Sequence, residues 1–442
     1  MATFGGQTST MPGIIIVGAG IVGLTLGQAF KSVCLLCFFP NSTTSTSESL
    51  TARQQKIPFT ILERDASADV REQGWAITLH WALPLLEEML PQRLIAQIEK
   101  CQVNAEVAGD DPGDFKLINL EDCSEISNTP SGKRWRVNRG KLRLALLDGL
   151  DGSIRWNQHV EGVEQLQDHA KVQCLDGSSH IAHVVIGADG SKSAIRRFLC
   201  PEKHAVTPLP YRMLGVGSHL TEDQVAPIRS IDRLLFQGIE PKTGNFLYCS
   251  LLEAATKETA SHVVQFNVSW PQSSSKDEMF SDNTSRLAAL KLRARGFAPC
   301  LRNAIESIVE GTPVTEIGLA DWEFVHWDNP GRVTLAGDAA HPMTMCKKTF
   351  FMIMSQCLRY LVRGEAANHG IQDAYDLWKN LKLVCYSGDD MRDAIQDYES
   401  KMTKRAVDAI LLSRQACEDA HHYPVDKSSP LVTARRLPPQ CA

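Results

Sequence analysis

The first clear pattern along the chain is a short β-branched run, Ile14–Val17, followed by glycines and then by apolar residues at helical spacing from Leu24 onward. A run of this length and composition is typical of a buried parallel strand. Three glycines, Gly18, Gly20 and Gly23, separate the two apolar patterns. We therefore predict a strand, a glycine-rich turn and a helix at this end of the chain.

Strand and helix patterns alternate through the first half of the chain. The segment "PFTILERD" predicts a second strand that ends in Glu63, and "GWAITLHWALPLLEEML" predicts a strand followed by an amphipathic helix. In "RWRVNRGKLRLALLDGL", Arg139, Leu142 and Leu146 share one helical face. A further strand pattern ends at a turn over residues 187–190, and a basic helix start follows.

The remaining chain divides by pattern into three parts. Residues 205–320 are rich in strand patterns, residues from Asp373 onward are mostly helical, and 421–442 form a polar, proline-containing tail. We predict an α/β fold whose Rossmann-like domain, a parallel sheet with helices, is formed by 11–204 and 321–420. The interval 205–320 would form a second, sheet-based domain, and C-terminal helices would complete 321–420.

Composition narrows the class of protein. A length of 442 residues allows one large domain with insertions, or two to three domains, and 43% hydrophobic with 22% charged residues is typical of a soluble globular protein. Its net charge of −5 provides no basic footprint, so we expect no nucleic-acid partner. The thirteen cysteines are mostly scattered, which indicates reduced thiols and a cytoplasmic location. The one CxxC, Cys34 and Cys37, lacks a second ligand pair, so we expect no metal site.

One stretch, residues 11–30, has the length and apolar character of a membrane span. It contains five glycines and has no basic residues before it, unlike a secretory signal. We therefore expect no signal peptide and no membrane partner.

The spacing Gly18-x-Gly20-x-x-Gly23 indicates a dinucleotide site. Glycines permit a tight turn and close approach of the backbone to a pyrophosphate, and the N-terminus of the following helix favours negative charge. Glu63 would accept hydrogen bonds from the ribose of the adenosine. It follows Gly18 by 45 positions, whereas about 20 are typical of such sites.

Three motifs then occur in order: the glycine turn with Glu63, "GADGSKSAIR" at 187–196 and "RVTLAGDAAHP" at 332–342. Together they resemble the single-component FAD-dependent aromatic hydroxylases, the monooxygenases similar to salicylate and p-hydroxybenzoate hydroxylase. The resemblance extends from Ile14 to about Cys417. It implies that the parallel-sheet domain binds FAD and that the second domain binds the substrate.

The resemblance also implies roles for single residues. Asp189 and Arg196 would help to bind FAD and NAD(P)H, Asp338 would bind a ribitol or ribose hydroxyl, and Arg139 would meet the pyrophosphate. A helix opening at Gly364–Asn368 would direct its N–H groups at the flavin. The candidate cofactor-binding residues are Gly18, Gly20, Gly23, Glu63, Arg139, Asp189, Asp338, Gly364 and Ala366.

One of these residues departs from the family pattern, and others have ordinary structural interpretations. Ala366 stands where the family usually has glycine, and we expect it to tighten the approach of the backbone to the flavin. Gly187 and Gly190 could form a hairpin turn, Asp338 could cap a helix, and Arg139 could be an exposed helix charge. A packing or capping role is the simpler interpretation for His80, His341, Trp81, Phe236, Tyr248 and Trp322.

Two segments interrupt these motifs. Without residues 33–54, Glu63 would follow Gly18 by 23 positions, close to the typical spacing of about 20. Without residues 346–362, "GDAAHPMTM" would run directly into "RGEAANHG". Codons for Val33-Cys34 and Gln54 can encode a splice donor and an acceptor. We interpret both segments as translated introns; the alternative is a genuine insertion that forms a flavin lid or a membrane-touching loop.

The implied activity is an oxygenation. NAD(P)H would reduce FAD, and the reduced flavin would then react with O2 to form a C4a-hydroperoxide. This intermediate would hydroxylate or epoxidise a small aromatic or polyketide-like metabolite. The sequence assigns no catalytic residue. The alternatives are a flavin-binding oxidase and an inactive protein disrupted by the two segments. A halogenase is disfavoured, because the chain has no WxWxIP motif.

Overall fold

The structure is a computed structural model that describes residues 13–32, 57–70, 74–272, 280–343 and 364–434. The two interrupting segments, 33–54 and 346–362, and the pair Cys34 and Cys37 lie outside the described residues.

The described strands and helices, in chain order, are as follows. The strands are β1 (Ile14–Val17), β2 (Phe59–Leu62), β3 (Ala76–Leu79), β4 (Asp114–Asn119), β5 (Glu125–Pro130), β6 (Trp135–Asn138), β7 (Ile154–Arg155), β8 (Val160–Gln165), β9 (Ala170–Cys174), β10 (Ser179–Ala182), β11 (Val184–Gly187), β12 (Thr207–Leu220), β13 (Leu235–Ile239), β14 (Phe246–Glu253), β15 (His262–Pro271), β16 (Thr315–Asp321) and β17 (Val333–Leu335). The helices are α1 (Ile21–Lys31), α2 (Leu83–Met89), α3 (Gln92–Glu99), α4 (Arg139–Leu147), α5 (Ala194–Leu199), α6 (Glu222–Ile231), α7 (Asn283–Arg293), α8 (Pro299–Glu306), α9 (Ala366–Ser387) and α10 (Met391–Asp419).

A parallel sheet lies at the centre of the Rossmann-like part. Its described strands run in the order β17-β11-β1-β2-β7, and each pair is parallel. Every residue of β1 and β11 is buried, as expected for strands covered on both faces. The predicted α/β fold class is confirmed.

A larger sheet forms a second layer. In the described chain it runs in the order β16-β12-β15-β14-β13-β4-β5, and its pairs are antiparallel except for β13 with β4. One face buries a core with α6, α7 and α8. The opposite face, called the inner face below, packs against α10 and contacts β3 and β6. Two of its strands, β4 and β5, lie outside the interval 205–320 that the sequence assigned to the second domain.

The C-terminal helix α9 packs against the N-terminal part of the chain. Helix α9 packs against both α1 and α10. At this contact Val22 leaves no room for side chains on its neighbours, since an added Cβ would lie 2.9 Å from Val22 Cγ2 at Gly337 and 2.5 Å from it at Gly370. The two small residues therefore let the third motif and α9 lie directly against the glycine turn.

The described part of the predicted tail also packs on the sheet. Leu431 is buried in the cluster on the inner face, and Thr129 donates a hydrogen bond to the Val432 carbonyl at 2.8 Å. His421 stacks on Tyr211 with ring centroids 4.3 Å apart. Among the described helices, none combines the length and apolar character needed to cross a bilayer.

Candidate cofactor-binding site

A cleft opens where the chain order of the parallel sheet reverses. Strand β1 lies between β2 on one side and β11 on the other, and ligands of open α/β sheets bind beyond the carboxyl ends of strands at such a position. The cleft is open on one side, and its empty space, counted together with the solvent at its mouth, is about 980 Å³. Six residues predicted from the sequence line it: Gly18, Gly20, Glu63, Arg139, Asp189 and Asp338.

The three glycines of the turn have different reasons to lack a side chain. Gly18 has a φ of +107°, and a Cβ there would lie 2.6 Å from the Ala188 carbonyl oxygen. A Cβ on Gly23 would lie 2.1 Å from the Gly18 carbonyl oxygen. A Cβ on Gly20 would lie 4.0 Å from the nearest described atom, the Ala188 carbonyl oxygen. The chain itself therefore requires Gly18 and Gly23, whereas Gly20 keeps space open in the cleft.

The first turn of α1 faces that space. Gly20 is its N-cap residue, and no side chain caps the helix. The free N–H groups and the positive end of the helix dipole favour an anion at this position. A pyrophosphate approaching over Gly20 satisfies both requirements, so the turn fits a dinucleotide.

Glu63 lies at the same turn despite its unusual sequence spacing. It is 1% exposed, and its carboxylate accepts hydrogen bonds from the Ala19 N–H at 2.6 Å and the Asp65 N–H at 3.1 Å. An ionised carboxylate can accept about four hydrogen bonds. Glu63 lies at the end of β2 and lines the cleft.

The cleft is also lined by cations. Arg139 is the first residue of α4, which Asn138 caps by accepting a hydrogen bond from Lys141 N–H at 3.1 Å. Arg64 and Lys192 line the cleft as well, and the sequence analysis missed both. Each lies beside a predicted residue, Arg64 after Glu63 and Lys192 inside "GADGSKSAIR", but adjacency alone does not show which way a side chain points.

Asp189 forms part of the wall and organises the turn before α5. Its Oδ2 accepts a hydrogen bond from the Ala194 N–H at 2.7 Å. Burial raises the pKa of this carboxyl group, although hydrogen bonds from Ser193 and Ala194 act in the opposite direction.

Arg196 lies outside the lining of the cleft in which the resemblance would place it. Its guanidinium is buried and donates to the carbonyl oxygens of His204 at 2.9 Å and Ala339 at 2.9 Å. Its carbon also lies 5.1 Å from the centre of the Trp322 ring. Arg196 therefore holds the loop that carries Asp338 from behind, and it does not line the cleft.

A second buried group holds the same loop from the opposite side. Asp373 of α9 accepts hydrogen bonds from the Gly337 N–H at 2.6 Å and from His341 Nε2 at 2.6 Å, and it forms an ion pair with Arg405. Burial alone would raise the pKa of Asp373, but the charge of Arg405, the contact with His341 and the hydrogen bond from Gly337 together outweigh it and lower that pKa. The sequence analysis assigned His341 to packing or capping, and the structure gives it a polar role within this support.

The chain is similar to known proteins in both sequence and fold. No family model matches the chain. The FAD-dependent monooxygenase dbaB of Emericella nidulans is 37% identical over 93% of this chain and 94% of its own length. The chain belongs to the FAD-dependent monooxygenases.

Solved structures agree with this monooxygenase fold. The chain is similar to 2,6-dihydroxypyridine-3-hydroxylase of Arthrobacter nicotinovorans, with a TM-score of 0.69, 16% identity, and coverage of 97% of this chain and 98% of that one. It is also similar to HpxO of Klebsiella pneumoniae in complex with FAD and uric acid, with a TM-score of 0.67, 20% identity, and coverage of 95% and 90%.

The last predicted element of the monooxygenase site is the start of α9. This helix begins at Ala366, and Gly364 precedes it with a φ of +70°. Neither residue lines the cleft, but the next residue, Ala367, does. Asn368 ties this first turn to β3 by donating to the Thr78 carbonyl at 2.9 Å and accepting from the His80 N–H at 3.0 Å.

Proposed function

We propose that this monooxygenase uses NAD(P)H and O2 to hydroxylate a small aromatic or polyketide-like metabolite. The observation that carries the proposal is that Glu63, Arg139 and Asp338 share one cleft. These residues are separated by 76 and 199 positions in the chain, and their presence in one cleft supports a binding site for an extended ligand. The names of the similar hydroxylase and of the HpxO complex, which refer to a hydroxypyridine and to uric acid, favour an aromatic substrate.

Different residues of the chain would bind different parts of FAD. The open first turn of α1 and the Arg139 guanidinium would bind the pyrophosphate, because both favour negative charge. Glu63 would accept ribose hydroxyls, and Asp338 would accept a hydroxyl of the ribitol. Asp189 and the backbone around Gly18 would shape the wall between them.

Bound FAD supplies the redox chemistry, since it accepts electrons from a nicotinamide nucleotide and activates O2. The protein contributes position and exclusion of water. The start of α9 would direct its N–H groups at the flavin, and Arg196 and Asp373 would keep the Asp338 loop rigid from both sides. We also propose a cytoplasmic location, which the unpaired thiols of the described cysteines support.

The experiment is a coupled assay. The purified chain is supplied with FAD and NADH or NADPH, and consumption of the nucleotide is followed with and without a panel of phenols and hydroxylated heterocycles. We expect at least one panel member to accelerate nucleotide oxidation and to gain one oxygen atom by mass spectrometry. If nucleotide oxidation yields hydrogen peroxide in stoichiometric amount with every panel member, the second candidate, a flavin oxidase, replaces the first.

A further inference from the structure

A buried arginine lies outside the cofactor cleft, between β6 and the inner face of the large sheet. Arg136 is 3% exposed. Its guanidinium donates to the Thr78 hydroxyl at 3.0 Å and to the Ser250 hydroxyl at 2.7 Å. In the described residues no carboxylate pairs with it, and its Nε has no hydrogen-bond partner. Ser250 donates its own proton to the Leu251 carbonyl at 3.0 Å. The side chain of Tyr248 also interacts with the guanidinium, so the described polar partners of Arg136 are hydroxyl groups and none is a carboxylate.

A neighbouring arginine shows what a structural pairing looks like in this chain. Arg134 precedes Arg136 by two residues, and its side chain is fully buried. It forms a two-pronged ion pair with Asp111, with distances of 2.6 Å and 2.9 Å, and Asp232 lies 4.0 Å away. Asp111 and Asp232 therefore compensate the charge of Arg134. A buried charge without a counterion costs several kcal/mol (about 3–5 when a pair is broken), so Arg136 calls for a different explanation.

An asparagine on the same face of the sheet is also without partners. Asn267 is fully buried, and neither its Oδ1 nor its Nδ2 has a hydrogen-bond partner in the described chain. Across the sheet it is paired with Tyr248, whose ring centre lies 5.6 Å from the guanidinium carbon of Arg136. Buried polar groups are almost always hydrogen-bonded in native proteins, so these two groups on one face of the sheet mark a place where a polar partner from outside the chain fits.

The absence of a side chain on Gly215 lets Asn267 lie close to Trp75, which directly precedes β3. A Cβ on Gly215 would lie 2.4 Å from Asn267 Oδ1 and 2.6 Å from Cη2 of Trp75. The indole of Trp75 therefore lies over Gly215 next to the amide. The interface then offers an indole beside an amide, and Tyr248, the cross-strand neighbour of Asn267, lies against the cation. Strand β3 connects this interface to the cofactor cleft, because Ile77 lines the cleft while its neighbour Thr78 contacts Arg136.

We propose that Arg136 and Asn267 bind an ionised oxygen of the substrate, either a phenolate or enolate or a carboxylate. The guanidinium supplies the compensating charge through its free Nε and its two polarised N–H groups, and the amide of Asn267 donates a further hydrogen bond. Trp75 and Tyr248 contact the ring that carries the oxygen. This inference rests on the proposed function for its location and narrows the substrate class to an acidic aromatic or polyketide-like compound.

The test uses the full chain and four small probes. The anionic probes are 4-nitrophenol, whose absorption distinguishes phenol from phenolate, and benzoate; their neutral counterparts are 4-nitroanisole and benzamide. The ionisable groups that face Arg136 are Arg134 and Tyr248, and Thr78 and Ser250 do not ionise. We expect the wild-type chain to bind at least one anionic probe and, for 4-nitrophenol, to hold it as phenolate at a pH below its free ionisation. The anionic probe that binds identifies the oxygen as phenolate-like or carboxylate.

Two variants and a control separate recognition from folding. Arg136→Met should weaken the anionic probe at least tenfold, equivalent to about 1.4 kcal/mol, and leave the affinity for the neutral probe unchanged. It should not lower the melting temperature, because it removes a buried charge that has no counterion. Asn267→Asp places a carboxylate on this face, so it should exclude the anion and raise the melting temperature. Arg212→Met, which removes a charge paired with Glu316 on the other face of the sheet, should change neither affinity.

The opposite results would overturn the inference. The first is that the wild-type chain binds neither anion, and the second is that the wild type and Arg136→Met bind the anion with equal affinity. The third is that Arg136→Met weakens charged and neutral probes equally and lowers the melting temperature, which would make Arg136 a structural residue. FAD is not added in this assay. A chain that binds anions through Arg136 but never oxidises NAD(P)H would therefore contradict the proposed function and leave this inference standing.

Discussion

The cofactor cleft and the interface around Arg136 are both polar, but they satisfy their polar groups in different ways. In the cleft, Glu63 and Asp189 accept hydrogen bonds from nearby backbone N–H groups, and the space beyond them opens to solvent. At the interface, Arg136 and Asn267 are buried, and some of their polar atoms lack any described partner. A cofactor site is thus built mainly from backbone shape, whereas the interface relies on side chains whose missing partner must come from outside.

The largest effect is expected where the cleft is supported from behind. Asp373→Asn keeps the shape of the side chain but removes the charge that pairs with Arg405 and His341. Breaking a buried pair of this kind costs about 3–5 kcal/mol, so chemical denaturation should show a loss of that size. The matched control, Asp397→Asn, removes an exposed partner of Lys401 and should cost at most about 1 kcal/mol. Similar losses in both variants would show that Asp373 does not support the loop.

On the inner face of the large sheet, one polar neighbour of Asn267 does have a partner, and this sharpens the comparison. Ser269 meets His421 Nε2 at 2.9 Å, and burial lowers the pKa of His421 to about 4. Because an unfolded histidine has a pKa of about 6.5, the unfolded state binds the extra proton between these values. Stability should therefore be full above about pH 6.5 and should fall by up to about 3 kcal/mol as the pH drops towards 4.

The variant His421→Gln checks this pH dependence. It should flatten the fall in unfolding free energy across that pH window, whereas His422→Gln, at the exposed neighbour, should leave the slope as it is. Identical slopes in all three proteins would mean that His421 is not buried as a neutral group against the sheet.

The third prediction concerns Gly20 in the cleft. Gly20→Val adds a side chain where no described atom lies closer than 4.0 Å, so the melting temperature should stay unchanged. The same side chain occupies the space of the pyrophosphate, and FAD affinity should fall about 100-fold, equivalent to about 2.7 kcal/mol. Equilibrium dialysis measures the affinity. Gly13→Val, also in open space but outside the cleft, is the control, and equal FAD affinity in both variants would remove Gly20 from the cofactor site.

The smallest effect is expected from the two interrupting segments. We expect the complete sequence to bind FAD weakly and removal of 33–54 and 346–362 to strengthen binding. Because Glu63 already meets the glycine turn through Ala19, removal of 346–362 should contribute most, by about 1–2 kcal/mol of loop-closure entropy. Flavin occupancy after purification measures this for each single removal. Equal occupancy in all versions would contradict it, and a mature transcript that retains both segments would rule out introns.

The sequence predicted the cleft better than the interface for a physical reason. Gly18, Gly23 and Glu63 are fixed by local backbone geometry at strand ends, and such constraints leave a recognisable spacing. Arg136 and Ser250 are 114 residues apart, and only the packing of β6 on the large sheet brings them together. The same limit applies to Arg196, because its position in "GADGSKSAIR" was recognised but its place behind the Asp338 loop was not. It also applies to β4 and β5, which join a sheet that the sequence assigned to residues 205–320.

The central claim is that one extended cleft holds FAD through residues from three distant parts of the chain. The most direct measurement is FAD affinity by isothermal titration for Glu63→Gln, Arg139→Met and Asp338→Asn, compared with the surface variant Lys404→Gln, at an exposed residue outside the cleft. Each of the three should weaken binding of one FAD per chain at least tenfold, about 1.4 kcal/mol, and the surface variant should match the wild type. Wild-type affinity in all three cleft variants would contradict the account.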